Sequence, residues 1–260
     1  MSAPDYPGMG YSDAPAPTVL QPTFDDVAKV IDVFIDQRAS GTFILYMHDF
    51  GGPIGMRIAT AHPDRIAGLI FQNMAISEEG WNPERLKFYE RIGGPETPDK
   101  LAEAEQFATV DRDAFVHQRG ARRPDALNPD NWAIDAYAFS IAEKRLFMSR
   151  LFMNLATNFE LYPEWNSYLK NRQPKTLVVW GRNDSLPAGE RGISEAECAN
   201  RRGALFRWRP LRARRVLRRD RRGDHRDVLA IDPIKPHHAN VLDRGGSLLV
   251  ERQKSTREGV

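Results

Sequence analysis

Cysteine is all but missing: Cys198 is the single one in 260 residues. A lone thiol cannot close an intrachain disulfide, so the chain needs no oxidising compartment. Also missing is any run of about 18 apolar residues, the length that a membrane-spanning helix requires. The opening stretch MSAPDYPGMG has neither a basic segment nor an apolar one, so it does not read as a secretory leader. These absences make the cytosol the expected location and leave no membrane among the expected partners. Lysine is missing where positive charge is densest. Between Arg201 and Arg226 stand twelve arginines and two aspartates, a net +10, with no lysine. The chain holds 37 basic and 35 acidic residues in all, so the remainder carries 25 against 33. The formal charge of +2 conceals a mildly acidic body and a strongly basic tail.

What is present is a core-forming chain, with 41% hydrophobic and 10% aromatic residues. FDDVAKVIDVFIDQ (24–37) spaces its apolar residues helically and puts acids in the first turn. TFILYMHD (42–49) is a short buried-strand run, and GGPIGMRIATAHP opens a helix with Pro53 in its first turn. IAGLIFQN (66–73) is a second such strand. Strand, tight turn, helix and strand make a βαβ unit, which implies a parallel sheet. From Ser77 to Leu169 the pattern turns helical, with breaks at Gly93-Gly94-Pro95 and Arg122-Arg123-Pro124. KTLVVWGRND (175–184) returns to strand and ends in a polar turn; beyond Asp184 there is no convincing amphipathic period.

The stretch YMHDFGGPIG concentrates the chemistry. It places Asp49 at a sharp strand-to-helix turn, followed by two glycines that let backbones crowd together. The helix mouth offers free N–H groups to an anion. The plain alternative is that Asp49 only caps the helix, since Asp is favoured there. APDYPGMGYSDAP, MHDFGGPIGMRIATAHPDRIAGLIFQN and TLVVWGRND occur in this order over Ala3 to Asp184. Together they resemble the α/β-hydrolase superfamily, in its Asp-nucleophile branch of epoxide hydrolases and haloalkane dehalogenases. The resemblance implies an α/β fold with a mostly parallel sheet and an inserted helical cap. The parts would be an incomplete core at 1–76, the cap at 77–169, a core strand and acid turn at 170–184, and an Arg-rich, irregular or disordered tail at 185–260.

Carried over by motif, Asp49 is the nucleophile, Asp184 the acid that orients the base, and the Phe50 N–H one oxyanion donor. No cofactor and no metal is implied. A carboxylate is ionised at neutral pH and attacks carbon without a base, giving an alkyl ester. Hydrolysis of the ester needs a histidine to activate water. His48 and His62 come too early in the chain for that role. His48 is expected to point away from the pocket, and His62 ends a helix. Dehalogenases of the branch usually place Trp after the nucleophile, and Phe50 has no such donor. Epoxide hydrolases use cap tyrosines; Tyr89, Tyr137, Tyr162 and Tyr168 are available, and each has ordinary packing as its alternative. The same holds for Trp81 and Trp132.

Where the family places a Gly-His turn, this chain has FRWRPL (206–211). If its arginines use CGN codons, a one-base shift spells FDGGHF for suitable third bases. The shift also turns RARRVLRRDRR into alternating acidic and apolar residues. The tail therefore reads as the product of a frame slip close to Asp184. The family's early strands and first oxyanion loop would fall before Met1. On this reading the catalytic histidine is absent and the small-molecule hydrolase is inactive as written. The alternative is a non-catalytic, Arg-rich arm binding nucleic acid, although from Arg207 onward Trp208 is its only interleaved aromatic and it has no lysine. His225, His237 and His238 lack a carboxylate pattern of recognised metal-binding spacing.

Overall fold

The computed structural model describes residues 1–121 and 123–181, together with the backbone of 201–206, 213–219 and 225–231. Two compact units result, Met1–Arg209 and Pro210–Val260. In the first unit, α1 (Phe24–Arg38) starts where Thr23 accepts a hydrogen bond from the Asp26 N–H at 3.1 Å. Asp25 and Asp26 in its first turn and Arg38 in its last complement the helix dipole. β1 (Phe43–His48) follows, then α2 (Gly51–Ala61) and β2 (Ile66–Gln72), the βαβ unit that the sequence predicts. β3 (Thr176–Gly181) pairs parallel with β2, from Leu69 opposite Thr176 to Gln72 opposite Val179.

Between β2 and β3 the described residues form six α-helices: α3 (Pro83–Ile92), α4 (Pro98–Glu105), α5 (Val110–Gln118), α6 (Asp130–Ser140), α7 (Ala142–Met153) and α8 (Tyr162–Arg172). The glycine pair at 93–94 ends α3, and Thr97 and Thr109 cap the next two helices through their side chains. One apolar cluster joins Met47, Leu69, Phe71 and Val178 of the sheet to Trp165 and Leu169 of α8. A second joins Phe24, Val27 and Ile31 of α1 to Ile54 and Ile58 of α2 and Phe147 and Leu151 of α7.

The segment expected to be irregular carries strand backbone in three places. β4 (Arg201–Phe206) extends the first unit's parallel sheet beside β3, from Thr176 opposite Arg201 to Gly181 opposite Phe206. In the second unit β5 (Ala213–Arg219) and β6 (His225–Ile231) form an antiparallel pair. Ladder bonds are made by backbone, so strands form here without the apolar period sought in the sequence.

The order of the four-stranded sheet is β1-β2-β3-β4, which leaves β1 at an edge. Its side chains alternate, so Met47 is 1% exposed whereas Ile44 and Tyr46 are 62% and 59% exposed. Apolar residues on an edge that no described strand pairs invite strand addition between molecules. Ile44→Lys should therefore raise the soluble fraction severalfold and leave the thermal midpoint within about 2 °C, a surface-sized effect. Sedimentation and a melting curve check it; unchanged aggregation would mean that another surface drives association.

Candidate active site

β1 ends at His48 and α2 begins at Gly51, so the chain must turn within two residues. Asp49 takes the strain of that turn: its φ is +47°, a left-handed value that few side chains other than Asn and Asp accept. Its carbonyl accepts the Gly52 N–H at 2.9 Å, and Phe50 already has helical angles of −60° and −23°. Space favours glycine at both positions. A Cβ on Gly52 would lie 2.5 Å from Cε of Met74, and one on Gly51 would lie 3.2 Å from the Tyr6 hydroxyl. The helix mouth is thus pressed against the chain leaving β2 and against the loop that carries Tyr6.

That loop, PDYPGMGYSD, is tied down from two sides. The Asp5 carboxylate accepts the Tyr11 N–H at 2.9 Å, and buried Lys144 donates to the Gly10 carbonyl at 2.7 Å. Gly8, at φ +79°, lies against the Phe147 ring, where a Cβ would come within 2.7 Å of Cδ1. Burial raises the pKa of the Tyr6 hydroxyl.

Aromatic rings connect the turn to the helices above it. The half-buried Phe50 ring meets Phe24 edge-on at 5.3 Å and Phe152 of α7 at 5.1 Å. Phe152 in turn stacks on Phe107 at 5.2 Å and on Tyr89 of α3 at 6.3 Å. Tyr89 is buried, and burial is the main reason its pKa rises; nearby Arg85 opposes the rise and the Asp49 charge adds to it. Tyr89 therefore feels the field of the carboxylate at the turn.

The other sequence-derived candidates divide clearly. Tyr162 is buried, accepts the Trp81 indole N–H at 2.8 Å, and has its pKa raised by burial. Tyr168 is buried against the sheet in the first core cluster. Tyr137 is exposed, and Trp132 packs beside His117 with ring centroids 5.9 Å apart. His48 and Asp49 are both exposed. His62 caps α2 and pairs with Asp32 at 2.8 Å, a structural position. Asp184, three residues beyond the end of β3, lies outside the described residues, as do His237 and His238. His225 is described only as the first residue of β6.

A sequence profile of the alpha/beta hydrolase fold matches residues 2–188, well over half of the chain. The chain belongs to the alpha/beta hydrolase fold family. An uncharacterized hydrolase of Saccharomyces cerevisiae is 27% identical over 194 residues, 71% of this chain and 64% of that protein. This alpha/beta hydrolase-fold chain thus spans less than two thirds of that relative's length. Haloalkane dehalogenase 2 of Mycobacterium tuberculosis is 37% identical over 71 residues, 27% of this chain and 24% of that one. Among solved structures, a loop variant of haloalkane dehalogenase DbeA from Bradyrhizobium elkanii superposes with a TM-score of 0.60 at 19% identity, over 78% of this chain and 71% of that one. A provisionally assigned epoxide hydrolase of Pseudomonas aeruginosa gives 0.60 at 17%, over 78% and 70%. These structural likenesses carry the fold. No helix among the described residues is long and apolar enough to cross a membrane.

One cluster escapes the sequence motifs. Asp113 and His117 stand four apart on α5, and the structure brings Asp135 of α6 to them. The spacing D-x-x-x-H puts the first two on one helix face and is legible; their meeting with Asp135 is not. Burial, with the Asp135 charge, pushes the Asp113 carboxyl up to about 6, and His117 opposes the shift. Burial also raises Asp135, with His117 opposing and Asp5 adding to it.

The folded chain therefore holds the Asp113 proton more tightly than the unfolded chain, whose Asp titrates near about 3.9. Stability from this group falls as pH rises from about 4 through about 6, then levels. In chelator-containing buffer, Asp113→Asn should match the parent near pH 4 and exceed it by about 1–3 kcal/mol above pH 7. Denaturant titrations at the two pH values check this. Equal stability of both chains above pH 7 would show that the carboxylate ionises there without cost.

Proposed function

We propose that this alpha/beta-fold hydrolase acts on the C–O bond of epoxides, or on carbon–halogen bonds, in small apolar molecules, with Asp49 as nucleophile. The observation that carries the reading is the positive φ of Asp49 at the bend between β1 and α2. A left-handed non-glycine residue between the edge strand β1 and a tightly packed helix is strain of the kind that clusters at reactive groups. An Asp49 oxygen donates its electron pair to carbon, and the ester bond forms as the bond to the leaving atom breaks. A halide departs with the electron pair of the broken bond. An epoxide oxygen keeps it and takes a proton from a tyrosine hydroxyl of the helical layer, the proposed cap. Tyr89, buried and within reach of the Asp49 field, is the favoured donor. Phe50 offers a leaving halide no side-chain N–H, which favours the epoxide; its backbone N–H is the proposed oxyanion donor.

Release of the ester requires water deprotonated by a histidine that Asp184 would orient. FRWRPL follows from the end of β4 where the family's Gly-His turn is expected, so the proposed chain stops at the ester. Incubation with a small epoxide, then intact mass and peptide mapping, should show one stable adduct on Asp49. A folded chain that gains no adduct overturns the reading. The proposed frame slip is tested separately: the DNA must be able to spell Gly-His one base downstream.

The twelve arginines between Arg201 and Arg226 keep a second reading in play, a nucleic-acid-binding arm. Deleting residues 185–260 should remove any RNA binding. Salt-resistant, sequence-selective binding by the full chain would favour the arm over the slip.

A further inference from the structure

We propose that Asp113, His117 and Asp135 form a divalent transition-metal site that staples α5 to α6 in the helical layer. One ligand atom from each of the three lies within 4.8 Å of the others, and the donors come from two separate helices. A cation there would join elements that the sequence places on either side of a break. The donor set is chemically suited: an imidazole with two carboxylates matches zinc, cobalt, nickel or manganese better than calcium or magnesium, which favour oxygen alone.

Four features distinguish this trio from a chance gathering of surface acids. The Asp113 side chain is only 18% exposed, and its Oδ2 is buried without a hydrogen-bond partner, 3.5 Å from Nδ1 of His117. A buried carboxylate oxygen needs a cation or a donor, and the His117 nitrogen in ion-pair reach of it is already turned to the Asp113 carbonyl. The His117 ring is already oriented, with Nδ1 3.0 Å from the Asp113 carbonyl. A neutral imidazole that donates one N–H to a carbonyl keeps a lone pair on its other nitrogen, the usual arrangement of a metal-binding histidine. Among the described residues no lysine or arginine pairs with Asp113 or Asp135, and the charge of Asp5 adds to the negative field. Two carboxylates and a neutral imidazole carry −2, the charge that a divalent ion cancels. Water would complete the coordination shell, as three protein ligands leave positions open.

The test uses the full chain, stripped with chelator and titrated with zinc chloride by calorimetry. Cys198 and the other five histidines can also take up zinc, so the informative quantity is the difference between variants. The parent should bind one zinc equivalent more than His117→Gln. Asp135→Asn, nearly the same shape, should show the same deficit. With cobalt in place of zinc, the parent should gain visible absorption that both variants lose. Zinc should also raise the parent's thermal midpoint by a few degrees, and the variants' midpoints little. Equal stoichiometry and equal cobalt spectra across all three chains would overturn the proposal, and so would a parent that takes up no zinc.

Discussion

Asp49→Asn should lower the rate of epoxide-derived adduct formation at least about 1,000-fold, with no other peptide gaining the label, since a neutral amide lacks the charge and the electron pair that attack carbon. Asn is the right replacement because it tolerates a positive φ about as well as Asp. At +47°, Ala would add backbone strain of its own and confuse loss of fold with loss of chemistry. Gly supplies the complementary measurement. Asp49→Gly should abolish labelling equally while leaving stability unchanged or up to about 1 kcal/mol higher, because glycine meets a left-handed position without strain. Loss of labelling in both folded variants marks a residue kept for reaction, because Asn caps a helix as well as Asp and Gly costs a cap only a few tenths of a kcal/mol. Labelling preserved in both variants would remove Asp49 as the attacking group and leave it a structural residue of the turn.

The parts of the molecule that were legible share one property: their own side chains state their structure. α1 announces itself through Thr23, Asp25, Asp26 and an apolar stripe ending near Arg38. β1, β2 and β3 are apolar runs of six or seven residues bounded by turn signals, and the glycines of α2 mark crowding at its mouth. The bend at Asp49 was legible because a single acid stood between such a strand and such a helix. What stayed hidden depended on partners distant in sequence. β4 is defined by backbone bonds to β3, and β5 by bonds to β6, so runs such as ARRVLRR show no period that would betray them. Tyr89 and Tyr137 look alike in sequence, yet α3 buries the first and α6 leaves the second half exposed. Asp135 joins Asp113 and His117 only when α6 folds back on α5, a turn that passes through Pro124 and Pro129 with no spacing to record it.

Arg57→Met should cost about 2–3 kcal/mol in chemical denaturation, the largest stability loss expected of a single exchange on α2 outside its apolar face. The guanidinium donates to Asn158 at 2.7 Å, to Asp25 at 2.5 Å and to the Pro53 carbonyl at 3.2 Å. It lies over the rings of Phe24, at 5.8 Å, and Trp165, at 5.7 Å. Its side chain is only 11% exposed, and burial lowers its pKa while Asp25 opposes the change. One cation thus ties the helix behind Asp49 to α1, to the turn before α8 and to α8 itself. The contacts are not equal. Asp25 is 66% exposed and water can replace its partner, so that pair contributes little. Asn158 is 1% exposed and its Nδ2 already lacks a hydrogen-bond partner, so loss of the arginine leaves the whole amide unsatisfied. Methionine keeps apolar bulk between the two rings, which confines the loss to the polar contacts. Asn158→Leu added to Arg57→Met should then recover more than about 1 kcal/mol, since removing both partners leaves nothing buried and unpaired. Arg57→Lys should fall between parent and methionine, because an ammonium cannot fork to Asp25 and Asn158 with the guanidinium's geometry. The labelling rate at Asp49 should drop about tenfold in Arg57→Met, as the helix behind the proposed nucleophile loses its anchor. Additive losses in the double variant would show that Arg57 and Asn158 act separately, and that the elbow helix is held by its apolar face alone.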